Sequence, residues 1–467
     1  MKTLDFCEKA FEDSIDIVVF GATGDLAHKK LFPDLYNLAK DAKFSERVRI
    51  IAVGRADFTK DQFIATFDLF IQAEDRDSFF SRVEYFKADF SNLDEMKSLA
   101  DYLGKHCHSR IFYLAVPPAF YSVIAENLGK VKLNYSCSGH NTFSRIVIEK
   151  PFGIDLKSSL ELNKTILSVF HEDQVYRIDH YLGKEPVENI FAFRFSNNIF
   201  ENIWNNKFID SIQIIATEDI GIEKRGAFYD STGALIDVFQ NHIIQMIAIL
   251  TMEKPLKFQE SFTRTNKANL IKQLTVSSVV KGQYEGYHDE PNVAPDSIID
   301  TFIATKLTLQ SPKFKGVPIY VKAGKMLSEK KTQIVVIFKP TINSLFAGDF
   351  SSNMLSFQIH PSFNIDLNFA GKVPGFDYTI TNMKMNYSYN NYYGELKSEY
   401  EKLLIDCILG NQLNFARTDE INASWKVTDV IKNKIRNIPP SIYPQGSTGP
   451  AEAETLIKSD GRSWISL

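Results

Sequence analysis

The segment Ile15-Asp-Ile-Val-Val-Phe-Gly-Ala-Thr-Gly-Asp-Leu-Ala27 decides the fold of the N-terminal part of this chain of 467 residues. Its first part, Ile15–Phe20, is a short apolar run that ends at Gly21, a pattern typical of a strand buried inside a parallel sheet. Helical periodicity follows at once over Asp25–Lys40. The segment therefore predicts a strand that turns directly into a helix.

Strands and helices continue to alternate after this first pair. We predict buried strands at Val48–Val53, Tyr85–Ala88, Arg110–Val116 and Arg145–Ile148, and helices at Lys60–Ala73, Asp94–Lys105 and Phe120–Leu128. Regular alternation of this kind favours a doubly wound parallel sheet of the Rossmann type. We expect this domain to occupy residues 1–178.

The second part of the chain has many short strand-like runs with few helices between them. The runs are Ala192–Phe195, Ser211–Ala216, Gln273–Ser278, Lys306–Leu309, Val317–Val321, Gln333–Phe338, Met354–Ile359 and Ile365–Phe369. The predicted helices are Gly233–Thr251, Glu395–Leu409 and Asp419–Asn433. Strands without crossover helices favour antiparallel pairing, so residues 179–467 should form an α+β domain built on a large, mostly antiparallel sheet.

Composition and charge limit the class of protein. A chain of 467 residues is too long for one ordinary core, and a net charge of −4 argues against a general binder of nucleic acids. The N-terminal residues are partly acidic and lack a long apolar run, and the most apolar segment, Ile243–Met252, is too short to cross a bilayer. We therefore expect a soluble, cytoplasmic protein.

The cysteines give no sign of a metal site. Cys7, Cys107, Cys137 and Cys407 are widely spaced, and no histidine lies at metal-binding spacing from them. We expect reduced, structural thiols.

The turn after the first strand has the features of a dinucleotide site. Gly21 permits the tight turn, Gly24 lets the backbone approach a pyrophosphate, and Ala27 allows close packing of the helix on the sheet. Free N–H groups and the helix dipole would bind the diphosphate, although a tight turn without a ligand would use the same glycines. After the second strand, Arg55 suits a 2′-phosphate, so NADP is preferred, while Asp57 leaves NAD as a second choice.

A second stretch, Arg177-Ile-Asp-His-Tyr-Leu-Gly-Lys-Glu185, gathers groups that can bind and react. Asp179 and His180 can serve proton chemistry. His180, Tyr181 and Lys184 together suit a phosphate dianion, whereas a solvated loop with ordinary charges is the alternative interpretation. The stretch lies at the expected domain border, where a cleft for two substrates is expected.

The chain resembles the glucose-6-phosphate dehydrogenase family in motifs that run in family order almost from end to end. They are GATGDLAHKKLFP (Gly21–Pro33), FYLAVPP (Phe112–Pro118), EKPFG (Glu149–Gly153), RIDHYLGKE, RGAFYD (Arg225–Asp230), DVFQNH (Asp237–His242), VPIYVKAGK (Val317–Lys325) and YPQGSTGP (Tyr443–Pro450). The resemblance implies oxidation of glucose 6-phosphate at C1 to 6-phosphogluconolactone with hydride transfer to NADP, the first step of the pentose phosphate pathway. It also implies a homodimer or homotetramer without a metal.

The residues offer two candidate bases for such a reaction, His180 and His242, because a neutral histidine paired with a carboxylate suits removal of a hydroxyl proton. The resemblance implies that His242 is the base and Asp179 its partner. Asp237 is nearer to His242 in sequence, but five residues of an α-helix turn through about 140°, a poor geometry for pairing. An imidazole satisfied inside an apolar helix is the alternative interpretation of His242.

The resemblance also implies which residues bind the substrate and the coenzyme. For the substrate they are the phosphate clamp His180, Tyr181 and Lys184, the hydroxyl ligands Glu218 and Asp237, the bridging Lys150, and the further cations Lys30, Lys325 and Lys330. For the coenzyme they are Gly21, Ala22, Thr23, Gly24, Asp25, Leu26, Arg55, Asp89, Pro117 and Lys150.

Three residues depart from the family pattern: Ile236 replaces an Arg, Ala227 a Gly and His28 a Lys. None of them removes a group that the reaction requires, so we expect an active enzyme. Two other functions stay open. One is a dehydrogenase of an unphosphorylated sugar, of the glucose–fructose oxidoreductase type, and the other is a non-catalytic sensor of sugar phosphate or NADP.

Overall fold

The computed structural model describes residues 14–41, 47–68, 71, 76–137, 142–341, 345–348, 352–394 and 396–465. The described residues form two compact units. Unit 1 draws on Met1–Gly183, Gln259–Ser261 and Lys397–Ile421, and unit 2 on Lys184–Phe258, Phe262–Leu396 and Asn422–Leu467. The division that we expect near residue 178 is continuous in sequence, whereas these units are not; the domain boundaries stay a prediction.

Unit 1 is built on a sheet of seven strands. In sheet order they are β16 (Phe415–Ala416), β6 (Val175–Ile178), β5 (Ser144–Ile148), β4 (Ser109–Leu114), β1 (Ile15–Phe20), β2 (Val48–Gly54) and β3 (Val83–Lys87). β1 to β6 pair in parallel, and β16 pairs antiparallel with β6. The predicted doubly wound sheet is confirmed. β1 lies inside this sheet, between β4 and β2, and all of its residues are buried.

Helices connect these strands. They are Ala27–Leu31, a π-helix continued by Phe32–Lys40, and then Lys60–Ala65, Arg76–Ser81, Leu93–Gly104, Pro118–Phe120, Tyr121–Lys130, Leu156–Leu167, Glu172–Gln174, His180–Gly183 and Glu399–Leu409. Side chains cap several of them; Thr59, for example, accepts a hydrogen bond from the N–H of Gln62. The predicted helix Lys60–Ala73 is described as far as residue 68, and of its last five residues only residue 71 is described.

One charged residue, Asp16, is fully buried in β1. Its carboxylate accepts hydrogen bonds from Arg49 at 2.8 and 3.0 Å, and Nδ1 of His108 lies 2.9 Å away. Parallel pairing places Arg49 opposite Asp16 on β2. Because a buried charge is tolerated only when it is paired, this ion pair favours the observed register of β1 and β2.

Unit 2 is built on a sheet of ten strands. In sheet order they are β12 (Ala347–Gly348), β15 (Thr379–Ser388), β14 (Asn364–Lys372), β13 (Met354–His360), β11 (Lys331–Phe338), β7 (Ile209–Thr217), β10 (Ile319–Gly324), β9 (Phe302–Leu309), β8 (Leu274–Tyr284) and β17 (Ser441–Tyr443). The pairs β12–β15, β7–β10 and β8–β17 are parallel, and the other neighbours are antiparallel. The predicted large, mostly antiparallel sheet is confirmed.

The remaining helices lie wholly or mainly in unit 2. They are Glu185–Ser196, Asn198–Ile203, Glu223–Arg225, Gly226–Ala234, the π-helix Leu235–Ile243, Ile244–Thr251, Glu260–Ile271, Tyr287–Asp289, Tyr389–Tyr393, Thr418–Ile435 and Ala451–Lys458. The stretch Glu223–Thr251 is long and apolar enough to cross a membrane, but 89% of its apolar window is buried inside the protein. Its packing is that of a core helix. Gly233, with φ 63° and ψ −177°, interrupts it, so the predicted helix Gly233–Thr251 is helical only beyond that residue, first as a π-helix and then as an α-helix.

One predicted strand is wrong, because Ala192–Phe195 lies in a helix. A run of four residues is too short to show whether its period is that of a strand or of a helix. Pro186 stands in the first turn of the helix, a position that suits proline. Arg194 is buried and donates to the carbonyl oxygen of Ile249 at 2.6 Å, which fixes the last turn.

The expectation of reduced cysteines is wrong for Cys107 and Cys137, which form a disulfide with Cα atoms 5.8 Å apart. They are separated by 30 residues in sequence, and only the tertiary fold brings them together. Cys407 is free and buried, as expected, and Cys7 lies outside the described residues.

Candidate active site

Predicted site residues follow six parallel strands of unit 1. In order from β1 to β6 they are Gly21, Arg55, Asp89, Pro117, Lys150 and Asp179. The carboxyl ends of parallel strands meet at one edge of the sheet, where doubly wound folds bind their ligands. The structure therefore brings these six positions to the same edge.

The turn after β1 requires a glycine at its first position. Gly21 has a φ of +79°, and a Cβ there would lie 2.7 Å from Cγ1 of Val116 and against the carbonyl oxygen of Ala115. The N–H groups of Gly21 and Ala22 donate to the carbonyl oxygen of Val53 at 3.0 and 3.2 Å. The turn is thus held between the ends of β2 and β4.

The helix that follows begins within the predicted coenzyme loop. Thr23 and Asp25 are exposed, while Gly24 and Leu26 are half-buried. The carbonyl oxygen of Gly24 accepts a hydrogen bond from the N–H of His28 at 3.1 Å. A helix start at this edge of a doubly wound sheet is the usual place for a diphosphate.

Arg55 and Asp57 lie exposed in the turn after β2. Asp57 forms an ion pair with Lys87, the last residue of β3, at 2.9 Å. The hydroxyl of Tyr85 donates to the carbonyl oxygen of Ala56 at 2.7 Å and holds the turn against β3. Burial, with a smaller contribution from Asp57, raises the pKa of Tyr85. Sequence reasoning missed Lys87, because strand pairing alone brings it to Asp57.

Lys150 follows β5 beside a buried carboxyl group. Glu149 is 7% exposed and accepts a hydrogen bond from the hydroxyl of Tyr113 at 2.5 Å. Burial raises the pKa of Glu149 to about 7, although the Tyr113 hydroxyl and the charge of Lys150 oppose this. Sequence reasoning did not single out Glu149; its place in the EKPFG motif was the available signal.

Asp179 precedes the turn that contains two residues of the predicted phosphate clamp. It is 1% exposed, and its carboxylate accepts from the N–H of Tyr181 at 3.1 Å. The rings of His180 and Tyr181 are 5.1 Å apart. A Cβ on Gly183 would lie 2.9 Å from the backbone of Glu399–Leu409, so the turn packs closely on that helix.

Arg177, the first residue of the same motif, has a structural role. It is fully buried and donates to the carboxylate of Glu172 at 2.7 and 3.2 Å. Glu172 also accepts from the N–H and the hydroxyl of Thr418 at 3.1 and 2.8 Å. Arg177 therefore stabilises unit 1.

The third clamp residue, Lys184, belongs to unit 2 and shares its surroundings with Lys330. Burial lowers the pKa of His360, and the positive charges of Lys330 and Lys184 lower it further. The carboxylates of Asp219 and Glu218 act in the opposite direction. The charges of two predicted substrate cations therefore act on one imidazole, which sequence reasoning missed because His360 only ends a strand pattern.

Glu218 and Lys325, both predicted substrate ligands, form an ion pair. Lys325 is 3% exposed, and its ammonium lies 5.5 Å from the ring centroid of Tyr229. Glu218 follows β7, and its N–H donates to the carbonyl oxygen of Gly324 at 2.9 Å. Lys325 is thus a buried, paired cation, unlike the solvated residue that a lone lysine usually is.

His242 lies on the π-helix Leu235–Ile243 and is 2% exposed. Its N–H donates to the side-chain oxygen of Asn241 at 2.6 Å. In a π-helix, backbone hydrogen bonds join residues that are five apart, so such residues lie nearer to one face than they do in an α-helix. The α-helical geometry that argued against pairing of Asp237 with His242 is therefore wrong for this segment. The structure also places Asp237 3.9 Å from Arg225 as an ion pair.

The three departures from the family pattern fit their positions. Ile236 is 3% exposed and belongs to the core. Ala227 is exposed, whereas a Cβ on the preceding Gly226 would meet the carbonyl oxygen of Pro291. Nδ1 of His28 lies 2.9 Å from a carbonyl oxygen of the glycine turn, so this residue has a partner at the coenzyme loop.

Comparison with known proteins identifies the family. A model of the NAD binding domain of glucose-6-phosphate dehydrogenase matches residues 18–189, and a model of the C-terminal domain matches residues 191–465. This chain belongs to the glucose-6-phosphate dehydrogenase family.

Relatives in this family match over nearly the whole chain. Glucose-6-phosphate 1-dehydrogenase of Borreliella burgdorferi is 39% identical over 472 residues, which cover 96% of this chain and 97% of the relative. The Bacillus subtilis enzyme of that name is 38% identical, with 97% and 98% covered. A solved glucose-6-phosphate dehydrogenase in complex with its substrate glucose-6-phosphate gives a TM-score of 0.90 at 30% identity, covering 98% of this chain and 99% of the other.

Membership of the glucose-6-phosphate dehydrogenase family defines the class of chemistry. The chain is an oxidoreductase that acts on a CH–OH group and uses a nicotinamide dinucleotide, NAD or NADP. The resemblance found in the motifs is confirmed. The family models match glucose-6-phosphate dehydrogenase, which favours this family over a dehydrogenase of the glucose–fructose oxidoreductase type.

Proposed function

We propose that the protein oxidises glucose 6-phosphate at C1 to 6-phosphogluconolactone and prefers NADP over NAD. The observation that carries the proposal is the edge of the unit 1 sheet, where six predicted site residues, four of them in family motifs, follow β1 to β6. That edge is where a coenzyme and its substrate are expected to meet.

The coenzyme would be held by this chain without a metal. Its diphosphate would lie on the turn of Gly21, Ala22, Thr23, Gly24, Asp25 and Leu26, whose first residue leaves no room for a side chain. Arg55, exposed in the turn after β2, would bind the 2′-phosphate, since a guanidinium matches the geometry of that group. Asp89, Pro117 and Lys150 would complete the site. When bound, NADP supplies the acceptor for the hydride from C1.

We assign His242 as the base that takes the proton of the C1 hydroxyl onto a ring nitrogen. Its burial keeps water away from that nitrogen. Asp179 would fix the tautomer and orientation of the imidazole, because a carboxylate on the other ring nitrogen stabilises the imidazolium that forms. The π-helical geometry keeps Asp237 as a second candidate for that role.

His180, Tyr181 and Lys184 would bind the phosphate of the substrate. The positive charges of Lys184 and Lys330, both of which lower the pKa of His360, support a site for an anion. Glu218 and Asp237 would accept hydrogen bonds from sugar hydroxyls, and the buried Lys325 would orient Glu218 through their ion pair. Lys150 would bridge sugar and nicotinamide. Burial raises the pKa of Asp34 to about 6, and the positive charge of Lys30 acts in the opposite direction. Lys30 would be a further cation of the substrate site.

We further propose a cytoplasmic homodimer or homotetramer that binds neither nucleic acid nor membrane. Most side chains of β15 are exposed, Met385 among them at 60%, which supports an association surface there. Light scattering on the purified protein measures the oligomeric state, and a monomer at micromolar concentration would contradict this part of the proposal.

One steady-state assay tests the activity. Formation of reduced coenzyme is followed with glucose 6-phosphate or glucose, and with NADP or NAD, in all four combinations. We expect the highest kcat/KM for glucose 6-phosphate with NADP. Preference for free glucose would support the unphosphorylated-sugar dehydrogenase instead. Ligand binding without turnover in any combination would support the sensor.

A further inference from the structure

We propose that Lys87 sets the preference for NADP by neutralising Asp57 and holding its carboxylate away from the ribose that carries the 2′-phosphate. Lys87 is thus a positioning residue that acts through Asp57. The inference deepens the proposed function and rests on the proposed use of NADP.

Strand pairing brings the two residues together. β2 and β3 run parallel, with Gly54 opposite Lys87, and the N–H of Ala88 donates to the carbonyl oxygen of Gly54 at 2.9 Å. The Lys87 side chain thereby leaves β3 beside the turn that carries Arg55 and Asp57. Its ammonium lies 2.9 Å from Oδ1 of Asp57. The pair lies at the carboxyl ends of the strands, on the same edge as the glycine turn.

The turn itself is fixed by Tyr85 on β3. The Tyr85 hydroxyl donates to the carbonyl oxygen of Ala56 at 2.7 Å. A Cβ on Gly54 would lie 2.8 Å from the same hydroxyl oxygen, and the ring of Phe58 lies 5.9 Å from the Tyr85 ring. Residues on both sides of Asp57 are therefore tied to β3, which keeps its carboxylate within reach of Lys87.

Charge explains why this pairing selects the coenzyme. A carboxylate after the second strand of such a fold accepts hydrogen bonds from the ribose of NAD and repels a 2′-phosphate. With Lys87 in place, the side chains of Arg55, Asp57 and Lys87 carry a net charge of +1; without it their charges cancel. The side chains of Lys87 and Asp57 are 54% and 86% exposed, so both lie within reach of a bound ligand.

The same exposure makes the inference testable without damage to the fold. Exposed ion pairs contribute little to folding stability. Lys87→Met should therefore leave the midpoint of thermal unfolding within a few degrees of the parent protein. Lys97→Met is the matched control, because Lys97 is an exposed lysine of unit 1 in an ion pair of 2.8 Å with Asp94.

The experiment measures binding of NADP⁺ and NAD⁺ by calorimetry on the full chain, without substrate. Lys87→Met should raise the Kd of NADP⁺ by about three- to tenfold and leave that of NAD⁺ unchanged or lower, since a freed Asp57 repels one ligand and accepts from the other. The control Lys97→Met should change neither Kd.

A double variant separates action through Asp57 from direct contact with phosphate. Asp57→Asn added to Lys87→Met removes the freed charge and should restore most of the affinity for NADP⁺. Failure of this rescue, or an unchanged ratio of the two Kd values in Lys87→Met, overturns the inference alone. A parent protein that binds NAD⁺ more tightly than NADP⁺ overturns the proposed coenzyme preference and the inference with it.

Discussion

Nδ1 of His28 lies 2.9 Å from the carbonyl oxygen of Gly24. A carbonyl oxygen only accepts, so Nδ1 carries a proton and donates it. Nε2 of the same ring lies 2.7 Å from the hydroxyl oxygen of Thr66, and the ring stacks on Phe67 with centroids 4.4 Å apart. His28, in place of the lysine common in the family, therefore links the glycine turn to Thr66 and Phe67, which follow the helix Lys60–Ala65.

His28→Ala should weaken NADP⁺ and NAD⁺ by the same factor, about two- to tenfold. The lost hydrogen bond loosens the turn that would hold the diphosphate, and both coenzymes contain that group. Calorimetric Kd values measure the effect, with His106→Ala, an exposed histidine of unit 1, as control. A loss confined to NADP⁺ would show that His28 acts elsewhere.

Arg55→Ala should raise the KM for NADP about tenfold or more and hardly affect NAD, because only NADP carries the phosphate that a guanidinium would bind. Initial rates with each coenzyme at saturating sugar phosphate measure both constants. Arg436→Ala, an exposed arginine of unit 2, is the control. An equal rise for both coenzymes would place Arg55 on a part that they share.

Local patterns in the sequence were sufficient for most of the fold. Ile15–Phe20 is predicted and found as β1, because a run of mostly apolar residues that ends at a glycine is typical of a buried parallel strand in an α/β protein. Asp25–Lys40 was likewise predictable from helical period. Ala192–Phe195 was not, since four residues with alternating aromatic rings fit a strand as well as the helix they form.

Features that depend on tertiary contacts or on the detailed backbone conformation could not be predicted from the sequence. The pairs Asp57–Lys87 and Cys107–Cys137 form between residues about 30 apart in sequence, and only the tertiary fold of unit 1 brings them together. The π-helix around His242 was also hidden, because an apolar helical pattern does not distinguish a period of 3.6 residues from a wider turn. The motifs nevertheless indicated residues at the ends of β1, β4, β5 and β6, and Arg55 was predicted from its place after the second strand.

Asp300 should make the protein less stable as the pH rises towards neutrality. It is 4% exposed, its carboxylate accepts from the N–H of Leu235 at 2.7 Å, and burial raises its pKa from 3.8 to about 7. Between these two values the folded state binds more protons than the unfolded state. The stability that Asp300 contributes is therefore complete at low pH and is lost as the pH rises through the folded-state pKa.

Asp300→Asn should remove this dependence, worth up to about 1.4 kcal/mol per pH unit for one group. Thermal unfolding between about pH 5 and 7 measures it, where other carboxyl groups with shifted pKa values affect parent and variant alike. Asp296→Asn, an exposed neighbour, is the control. Parallel loss of Tm in the parent and in Asp300→Asn would contradict the prediction.

His242→Ala should lower kcat by about a hundred- to ten-thousandfold and leave the KM for glucose 6-phosphate within a small factor, since a base acts chiefly in the transition state. Asp179→Asn should cause a milder loss, because a displaced tautomer is less damaging than a missing base. Steady-state kinetics with His288→Ala as control, an exposed histidine of unit 2, measure both. Near-normal turnover of His242→Ala would refute the assignment.

Asp237→Asn separates the two candidate partners of that base. If Asp179 orients His242, Asp237→Asn should raise the KM for the sugar more than it lowers kcat, because its role is contact with a hydroxyl. The opposite result, a large loss of kcat at nearly constant KM, would assign the orienting role to Asp237.

Lys184→Ala tests the phosphate clamp, on which the choice of substrate depends. A charge-assisted hydrogen bond from an ammonium to a phosphate contributes about 1.5–3 kcal/mol where water is excluded. The variant should therefore lose about ten- to a hundredfold in kcat/KM for glucose 6-phosphate. Free glucose lacks the phosphate and should be affected little, whereas Lys272→Ala, an exposed lysine of unit 2, should change neither substrate. The deciding quantity is the ratio of kcat/KM for the two sugars before and after substitution. A constant ratio would mean that other residues bind the phosphate.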